Sequence, residues 1–447
     1  MNTLVRNVIA IAWLWSCSGV IADEAVSPSP MNIVWIVADD LGYGDLSCYG
    51  AKDIPTPHLD ALAGEGLRST RFYAMPVCSP TRASLLTGRS PRAAGVETAL
   101  MGGGGLPANS ITAARLLHAR GYRTALIGKW HLGYAGASMP NAQGFDEFFG
   151  HLGGKLHYYE HTDELGGKDI PDLWENDRPV RRDGIYSTAL FTERACDFVR
   201  EHRDQPFFLM LSYNAPHYAR GRKSGESFPP EYYLQAPPEA MARVARDPDK
   251  PTMREQYAAA VVAMDEGIGR FVKALDDEGL RDRTLVVFLS DNGADTGHGG
   301  SSGPLTGHKA QLSEGGIRAA MIARLPGVIP PGRVVGSPAD VRDLLTTSAS
   351  LAGVDLAPWS AEGVDVSSAW RGGPGDQHVR CFAWRDERVA LQGPWKWHAK
   401  ASQVHLYQLD LDPAEQQNVA DAHPAPLAEL TAAWQAWSQH QESTSHE

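Results

Sequence analysis

Short unbroken apolar runs alternate along this chain with amphipathic stretches, a pattern that predicts strands covered on both faces and the helices that cover them. Asn32-Ile33-Val34-Trp35-Ile36-Val37-Ala38 is the first such run, and Thr124 to Gly128, Phe207 to Leu211 and Leu285 to Leu289 repeat it. Ala319 to Leu325 is a further apolar run. Helical spacing is clearest from Gln256 to Leu280, where Ala260, Met264, Ile268, Phe271 and Leu275 recur before the stop at Gly279. Helices are also predicted from Ser110 to Arg120, with Ile111, Ala114 and Leu117 on one face, from about Thr188 to His202, near Ala339 to Leu351, and from about Ala425 to Gln439. The texture changes after the Gly- and Pro-containing link from Gly353 to Gly375, with short strand-like pieces around Val379 to Trp384, Arg388 to Gln392, Trp395 to His398 and Leu406 to Leu409. Periodicity is weak from Gly144 to about Pro206 and from Arg220 to Pro251, and both stretches read as loops around a site.

The apolar runs end in polar residues suited to chemistry. Asp39-Asp40 closes the first, Lys129-Trp130-His131 the second, Ala215-Pro216-His217 lies just past the third, and Asp291-Asn292-Gly293 closes the fourth. In open α/β sheets ligands gather beyond the carboxyl ends of parallel strands, so four such endings point to one crevice. Asp39, Asp40, Asp291 and Asn292 offer only oxygen, which suits a hard cation; Ca²⁺ fits adaptable geometry better than Mg²⁺ with its strict octahedron. Arg82, Lys129, His131, His217 and Lys309 form a cationic set suited to a tetrahedral anion.

The chain has 447 residues, 43% hydrophobic and 21% charged, which suits a large domain plus a smaller one and argues against disorder. A formal net charge of −12 argues against nucleic acid or an anionic membrane as partner, so an anionic substrate has to be drawn by local cations. Residues 1–25 read as a signal peptide: Arg6, an apolar run from Val8 through Trp15, then small residues to Ala22. Export to the periplasm or outside the cell is expected, and Leu14-Trp15-Ser16-Cys17 is only a faint lipoprotein box. The division that follows is a main domain over 26–352 and a linker plus small domain over 353–447. Besides Cys17 and Cys78, the cysteines are Cys48, Cys196 and Cys381, which can form at most one disulfide, so the fold has to stand on its core.

Cys78-Ser79-Pro80-Thr81-Arg82-Ala83-Ser84-Leu85-Leu86-Thr87-Gly88-Arg89 reads as a helix start, with Ser79 as N-cap and Pro80 as the first helical residue. Cys78 then lies at a helix mouth that favours an oxyanion. This run resembles the signature of the type I sulfatases of the alkaline-phosphatase superfamily, in which the cysteine is oxidised to formylglycine. The other motifs match in order: Asp-Asp after the first strand, Gly-Lys-Trp-His, Ala-Pro-His, Asp-Asn-Gly, and Gly-His-Lys leading to Glu-Gly-Gly-Ile-Arg. The resemblance runs from about residue 32 to 325, and Tyr407 to Asn418 is similar to the family's C-terminal domain.

The resemblance implies an α/β fold: a large mixed, mostly parallel sheet sandwiched by helices, with a smaller C-terminal antiparallel sheet plus helix. It implies a sulfuric ester hydrolase acting on a sulfated saccharide, matured by a formylglycine-generating enzyme. Cys78 as formylglycine would be hydrated, coordinated by Ca²⁺ with Asp39, Asp40, Asp291 and Asn292, and would attack sulfur. Arg82 would hold that side chain, Lys129 and Lys309 would grip sulfate oxygens, His217 would protonate the leaving alcohol, and His131 would deprotonate the second hydroxyl. A sulfate-binding serine of the family has no counterpart between His151 and Leu156. Two alternatives stay open: a phosphodiesterase or phosphonate monoester hydrolase of the same superfamily, and a catalytically silent binder of sulfated glycans.

Overall fold

The structure, a computed structural model, describes residues 30–165, 168–219, 234–357, 359 and 361–444. The expected signal peptide and the first part of the Arg220 to Pro251 stretch lie outside these residues. Five strands form the parallel centre of an 11-stranded sheet, in the order Thr284–Ser290, Asn32–Ala38, Phe207–Ser212, Arg123–Lys129 and Glu147–His151. Arg318–Arg324 continues the sheet antiparallel to Thr284–Ser290, and Leu67–Tyr73 pairs antiparallel with it in turn.

The central strands are apolar throughout because both faces are covered. Ile33, Trp35 and Val37 enter one core, with Leu85, Leu117 and Leu344 from the helices Cys78–Thr87, Ala113–His118 and Asp343–Ala352. Val34, Ile36 and Ala38 enter the other, with Leu62, Phe191 and Ile268 from the helices Pro57–Glu65, Ser187–Glu201 and Met253–Asp277. Each large aliphatic side chain so buried contributes about 1.5–3 kcal/mol, and the period-two alternation serves both layers from one strand. The four strands Arg380–Trp384, Glu387–Gln392, Trp395–Lys400 and Gln403–Gln408 make a separate antiparallel meander, against which the helix Pro424–Thr444 packs Leu430 and Trp434.

This is the fold class the sequence leads to, with local corrections. Leu67–Tyr73 and Glu147–His151 are strands that the apolar pattern misses: the first mixes Arg68, Ser69, Thr70 and Arg71 into its run, and the second carries Gly150 and His151. The predicted helix from Ser110 begins only at Ala113, capped by Thr112, whose side chain accepts from the Arg115 N–H, and Ile111 is 40% exposed. Near Ala339 the chain first adds the short strand Ala339–Asp340, and the helix starts at Asp343. The long helix begins at Met253, where Thr252 and Glu255 form a capping box outside the apolar pattern. Ser79 does not cap its helix: Val77 holds the N-cap position, Cys78 is already helical, and the Ser79 hydroxyl accepts from the Leu100 N–H at 3.1 Å. Cys48, Cys78, Cys196 and Cys381 are all free thiols.

Candidate active site

Strand register brings the candidate residues together. Ala38 pairs with Ser290, Val37 with Ser212, and Ser212 with Gly128, so four parallel strands end level and release Asp39-Asp40, Asp291-Asn292, Tyr213 to His217 and Lys129 to His131 along one edge. Asp39, Asp40, Arg82, Lys129, His131, His217, Asp291 and Asn292 are all buried, and Lys309 reaches in from a later loop with its side chain 18% exposed.

The acidic residues form one tight group. The Asp40 N–H donates to Asp291 Oδ1 at 3.1 Å, and Asn292 Nδ2 donates to Asp40 Oδ1 at 2.8 Å. Asp40 has φ +64°, a left-handed conformation that strains a non-glycine residue and turns its carboxylate toward the group. Burial, together with the charges of Asp291 and Asp40, pushes the Asp39 carboxyl well above its ordinary range, against the pull of Lys129. Burial also acts to raise Asp40, but Lys309 and His217 hold it below the ordinary carboxylate range.

Two oxygens in this group, Asp39 Oδ1 and Asn292 Oδ1, are buried without a hydrogen-bond donor. An orphaned buried acceptor is costly, and a pair of them, beside the two further carboxylates of Asp40 and Asp291, fits a cation held by Asp39, Asp40, Asp291 and Asn292. His217 belongs to the same neighbourhood: a nitrogen of its ring and an oxygen each of Asp39 and Asp40 lie within 4.8 Å of one another.

The positive groups surround this cluster in a definite order. Arg82 is fully buried beneath it: Nε and Nη2 donate to Asp291 Oδ2 at 3.2 and 2.8 Å, and Nη1 donates to Ser212 Oγ at 2.6 Å and to the Lys129 carbonyl at 3.1 Å. Its hydrogen bonds fix the Asp291 carboxylate and two strand ends. Lys129 Nζ lies 2.5 Å from Asp39 Oδ2 and donates to the Gly154 carbonyl at 2.8 Å. Lys309 Nζ donates to Asp40 at 2.7 Å, and the Asp40 charge raises the Lys309 pKa despite burial, which acts the other way.

Cys78 stands at the mouth of its helix with Sγ 3.1 Å from His131 Nδ1. The other ring nitrogen, Nε2, lies 2.9 Å from the Leu100 carbonyl, which can only accept. Nε2 therefore carries the proton and Nδ1 presents a lone pair to residue 78. Burial and the Lys129 charge push the His131 pKa well below its ordinary value, so the ring is a neutral base. His217 Nδ1 lies 2.8 Å from the Tyr218 carbonyl, and its Nε2 faces Asp40 Oδ2 at 3.5 Å. Burial lowers the His217 pKa as well, with Asp40 opposing. At the opening, Tyr218 stacks between His217 and His298, with ring centroids 4.3 and 4.0 Å away.

Several supporting groups escape a sequence reading. Ser212 holds Arg82 and could have been found only from strand register. The Leu100 and Gly154 carbonyls carry no sequence signal at all. Gly154 lies in the stretch that lacks the family serine, and a Cβ there would stand 2.7 Å from His131 Cε1, so glycine leaves the imidazole its place. The loop histidines and tyrosines are mostly interior: His151, Tyr158 and His161 are buried, and Tyr158 Oη donates to the His217 carbonyl at 2.8 Å.

Comparison with known proteins bears on the family and the fold. Residues 31–354 match the family model described as Sulfatase. Bovine arylsulfatase A is 34% identical, with 93% of this chain and 84% of that protein aligned. Canine N-acetylgalactosamine-6-sulfatase is 35% identical over 78% of this chain and 67% of its own. Among solved structures, Ps i-CgsB superposes with a TM-score of 0.82 at 32% identity, covering 92% of this chain and 93% of that one. The phosphonate monoester hydrolase of Agrobacterium radiobacter shares the fold at a TM-score of 0.63 and 20% identity, covering 92% of this chain and 96% of that one. On the strength of the family match, the relatives and the shared architecture, this chain belongs to the sulfatase family of the alkaline-phosphatase superfamily and is a sulfuric ester hydrolase.

Proposed function

We propose that the protein removes sulfate from a sulfated carbohydrate, using Cys78 after its oxidation to formylglycine by a formylglycine-generating enzyme. The observation that carries this reading is the 3.1 Å approach of His131 Nδ1 to Cys78 Sγ, with the oxygen-rich cluster and two lysines close by. Hydrated formylglycine would supply a nucleophilic hydroxyl for sulfur and a second hydroxyl whose deprotonation releases sulfate. A Ca²⁺ ion held by Asp39, Asp40, Asp291 and Asn292, with residue 78 as a further ligand, would supply charge that acidifies a hydroxyl and polarises the sulfate. Mg²⁺ suits this set less well, because Asp39 and Asn292 offer adaptable oxygen ligands rather than an evident octahedron.

The chain's own residues then divide the work. His131 Nδ1 takes the proton from the second hydroxyl, its tautomer set by Leu100. Lys129 and Lys309 oppose the sulfate charge by fixed electrostatics. Arg82 acts as a positioning residue that aligns Asp291 with the end of the Arg123–Lys129 strand. His217 Nε2 delivers a proton to the departing alcohol oxygen from the doubly protonated ring, a charged form that burial opposes and Asp40, 3.5 Å away, favours.

The carbohydrate assignment is supported by relatives: N-acetylgalactosamine-6-sulfatase by its name, and Ps i-CgsB by its complex with k-i-k-neocarrahexaose, at 31% identity and a TM-score of 0.82. Phosphonate or phosphodiester hydrolysis, and silent glycan binding, are weaker readings that no residue of the site favours. Export through the segment 1–25 accords with such a substrate, and no helix among the described residues is long and apolar enough to cross a membrane. We also assign 26–352 as the catalytic domain and 353–447 as linker and small domain.

The test is mass spectrometry of the Cys78 peptide from the native host, joined to turnover of an aryl sulfate, phosphate and phosphonate. Aldehyde at residue 78, preference for the sulfate, and loss of at least 10³-fold of kcat/KM in Cys78→Ala with an unchanged melting profile are expected. An unmodified thiol in an active protein refutes the mechanism.

A further inference from the structure

A second recess lies along the seam between the main sheet and the C-terminal meander, outside the catalytic group described above. Its cavity volume is about 700 Å³. Trp384 stands at the end of the strand Arg380–Trp384, and Trp434 and Trp437 project from the closing helix, so three half-buried indoles share one cleft. Arg92, Arg385 and Arg388 reach the same space.

None of these three guanidinium groups has a carboxylate partner among the described residues. Arg385 lies over the Trp384 ring at 5.4 Å, and Arg388 donates only to main-chain carbonyls. Glu97 and Glu442 also line the cleft, so its charged groups sum to +1 (three arginines less two glutamates) on a chain whose net charge is −12. Arginines without a carboxylate partner among the described residues are thus concentrated beside indoles: Trp434 stacks one face on Trp397 at 5.9 Å, and Trp437 lies against Trp434 at 5.1 Å.

The cleft adjoins the catalytic residues through the backbone. Val77 in its wall precedes Cys78, and Ala310 follows Lys309. The Trp384 indole N–H donates to the Ala310 carbonyl at 3.0 Å, which ties the aromatic wall to the loop carrying Lys309.

We propose that this cleft is a distal subsite for a sulfated saccharide chain, in which the indole faces take the apolar faces of sugar rings and Arg92 and Arg385 take a second sulfate or a carboxylate. The inference rests on the sulfatase reading of the catalytic site. Flat indole faces suit the C–H faces of a pyranose, and guanidinium groups bind tetrahedral oxyanions through paired N–H donors. Longer chains then gain affinity by occupying both places, whereas a small aryl sulfate meets only the catalytic pocket. The protein is accordingly selective for oligosaccharides over monosaccharides.

The experiment uses the full chain with Arg92→Ala/Arg385→Ala and, separately, Trp437→Ala. Binding is measured calorimetrically in a Cys78→Ala background, with hexasaccharides and disaccharides of a sulfated galactan, a sulfated fucan and a glycosaminoglycan, and with their desulfated forms. For at least one sulfated hexasaccharide, each variant should weaken binding tenfold or more, while binding of the matching disaccharide stays within twofold. In the Cys78-containing protein, kcat/KM for an aryl sulfate should also stay within twofold. Equal losses for hexasaccharide and disaccharide, no loss for either, or no preference for the sulfated form overturns the subsite. So does failure of the unsubstituted cleft to bind any hexasaccharide. Failure of the sulfatase reading appears elsewhere, as absent aryl sulfate turnover by the Cys78-containing protein, and leaves the binding comparison readable.

Discussion

At the scale of single residues, the most informative atoms are those with nothing to bond. Asp39 Oδ1 and Asn292 Oδ1 are buried acceptors without donors, in a group where Asp40 and Asp291 add further negative charge. Each such orphan costs about 1–3 kcal/mol when buried. A cation between them removes that cost, so the metal and the local fold support each other, but the two large cores do not depend on it. Chelation is therefore expected to lower aryl sulfate turnover by tenfold or more while shifting the melting temperature by only a few degrees, with Ca²⁺ restoring activity. A parallel assay and thermal melt check this, and a rate unaffected by complete metal removal contradicts the ligand assignment. The residue types were legible in the sequence because each follows an apolar run. The Leu100 and Gly154 carbonyls were not, because any residue has a carbonyl and only the folded loop aims it.

At the scale of elements, the C-terminal ends of the central strands are crowded. Gly128 has φ +108°, and a Cβ there would lie 1.8 Å from the Ser212 carbonyl oxygen of the neighbouring strand. Gly50 has the same φ of +108°, but a Cβ there would meet nothing within 4 Å. The pair separates backbone strain from crowding. Gly50→Ala should cost about 1 kcal/mol, and Gly128→Ala about 3 kcal/mol or more with loss of activity, because Lys129 and His131 move with the strand. Denaturant melts of the two variants measure the difference, and equal costs would mean that the ladder yields. Glu387, in the strand Glu387–Gln392, gives a pH test. Burial raises its pKa, but hydrogen bonds from His398, Lys400 and the Leu312 N–H outweigh it and bring the carboxyl down to about 2. A depressed carboxylate stabilises the fold above its unfolded value near 4.5, and that stability is lost as pH falls toward about 2. Between pH 6 and pH 3 the parent protein should lose on the order of 1 kcal/mol more than Glu387→Gln, a figure reduced for solvent screening. Urea melts at the two pH values read it, and parallel losses would remove Glu387 from the account.

At the scale of the whole molecule, the small meander is fastened to the catalytic layer by apolar packing, with Phe382, Val389 and Leu391 in the core of the main sheet, and by buried charge. Lys396 Nζ lies 3.0 Å from Glu314 Oε1 and 2.7 Å from Glu415 Oε1, and donates to the Leu312 carbonyl at 2.8 Å. Glu314 also accepts from the Tyr73 hydroxyl at 3.1 Å, so the chain of contacts crosses from the meander into the main sheet. Lys396→Met leaves Glu415 without its cation and Glu314 with only Arg318, 3.3 Å away, at a cost of about 3–5 kcal/mol. The exposed pair Lys273 and Asp277, 2.6 Å apart on one helix, provides the contrast: Lys273→Met should cost well under 1 kcal/mol. Thermal melts of both variants check the ratio, and comparable losses would mean that the seam is not held electrostatically. Lys396 attracts no notice in the sequence, where it is a lysine between two tryptophans in a short strand.

By itself, the sequence determined the layered α/β architecture, since period and length of the apolar runs state which segments must be covered on both faces. It also determined the chemistry available, because carboxylates, amide, lysines, histidines and a cysteine at strand ends and a helix mouth are a property of composition and order. Only the tertiary structure decided which of these groups meet, that Arg82 serves Asp291, that His131 faces Cys78 with its lone pair, and that polar runs such as Leu67–Tyr73 become strands. Those outcomes depend on register and on backbone carbonyls far apart in the chain, and a side-chain pattern read locally carries no information about either.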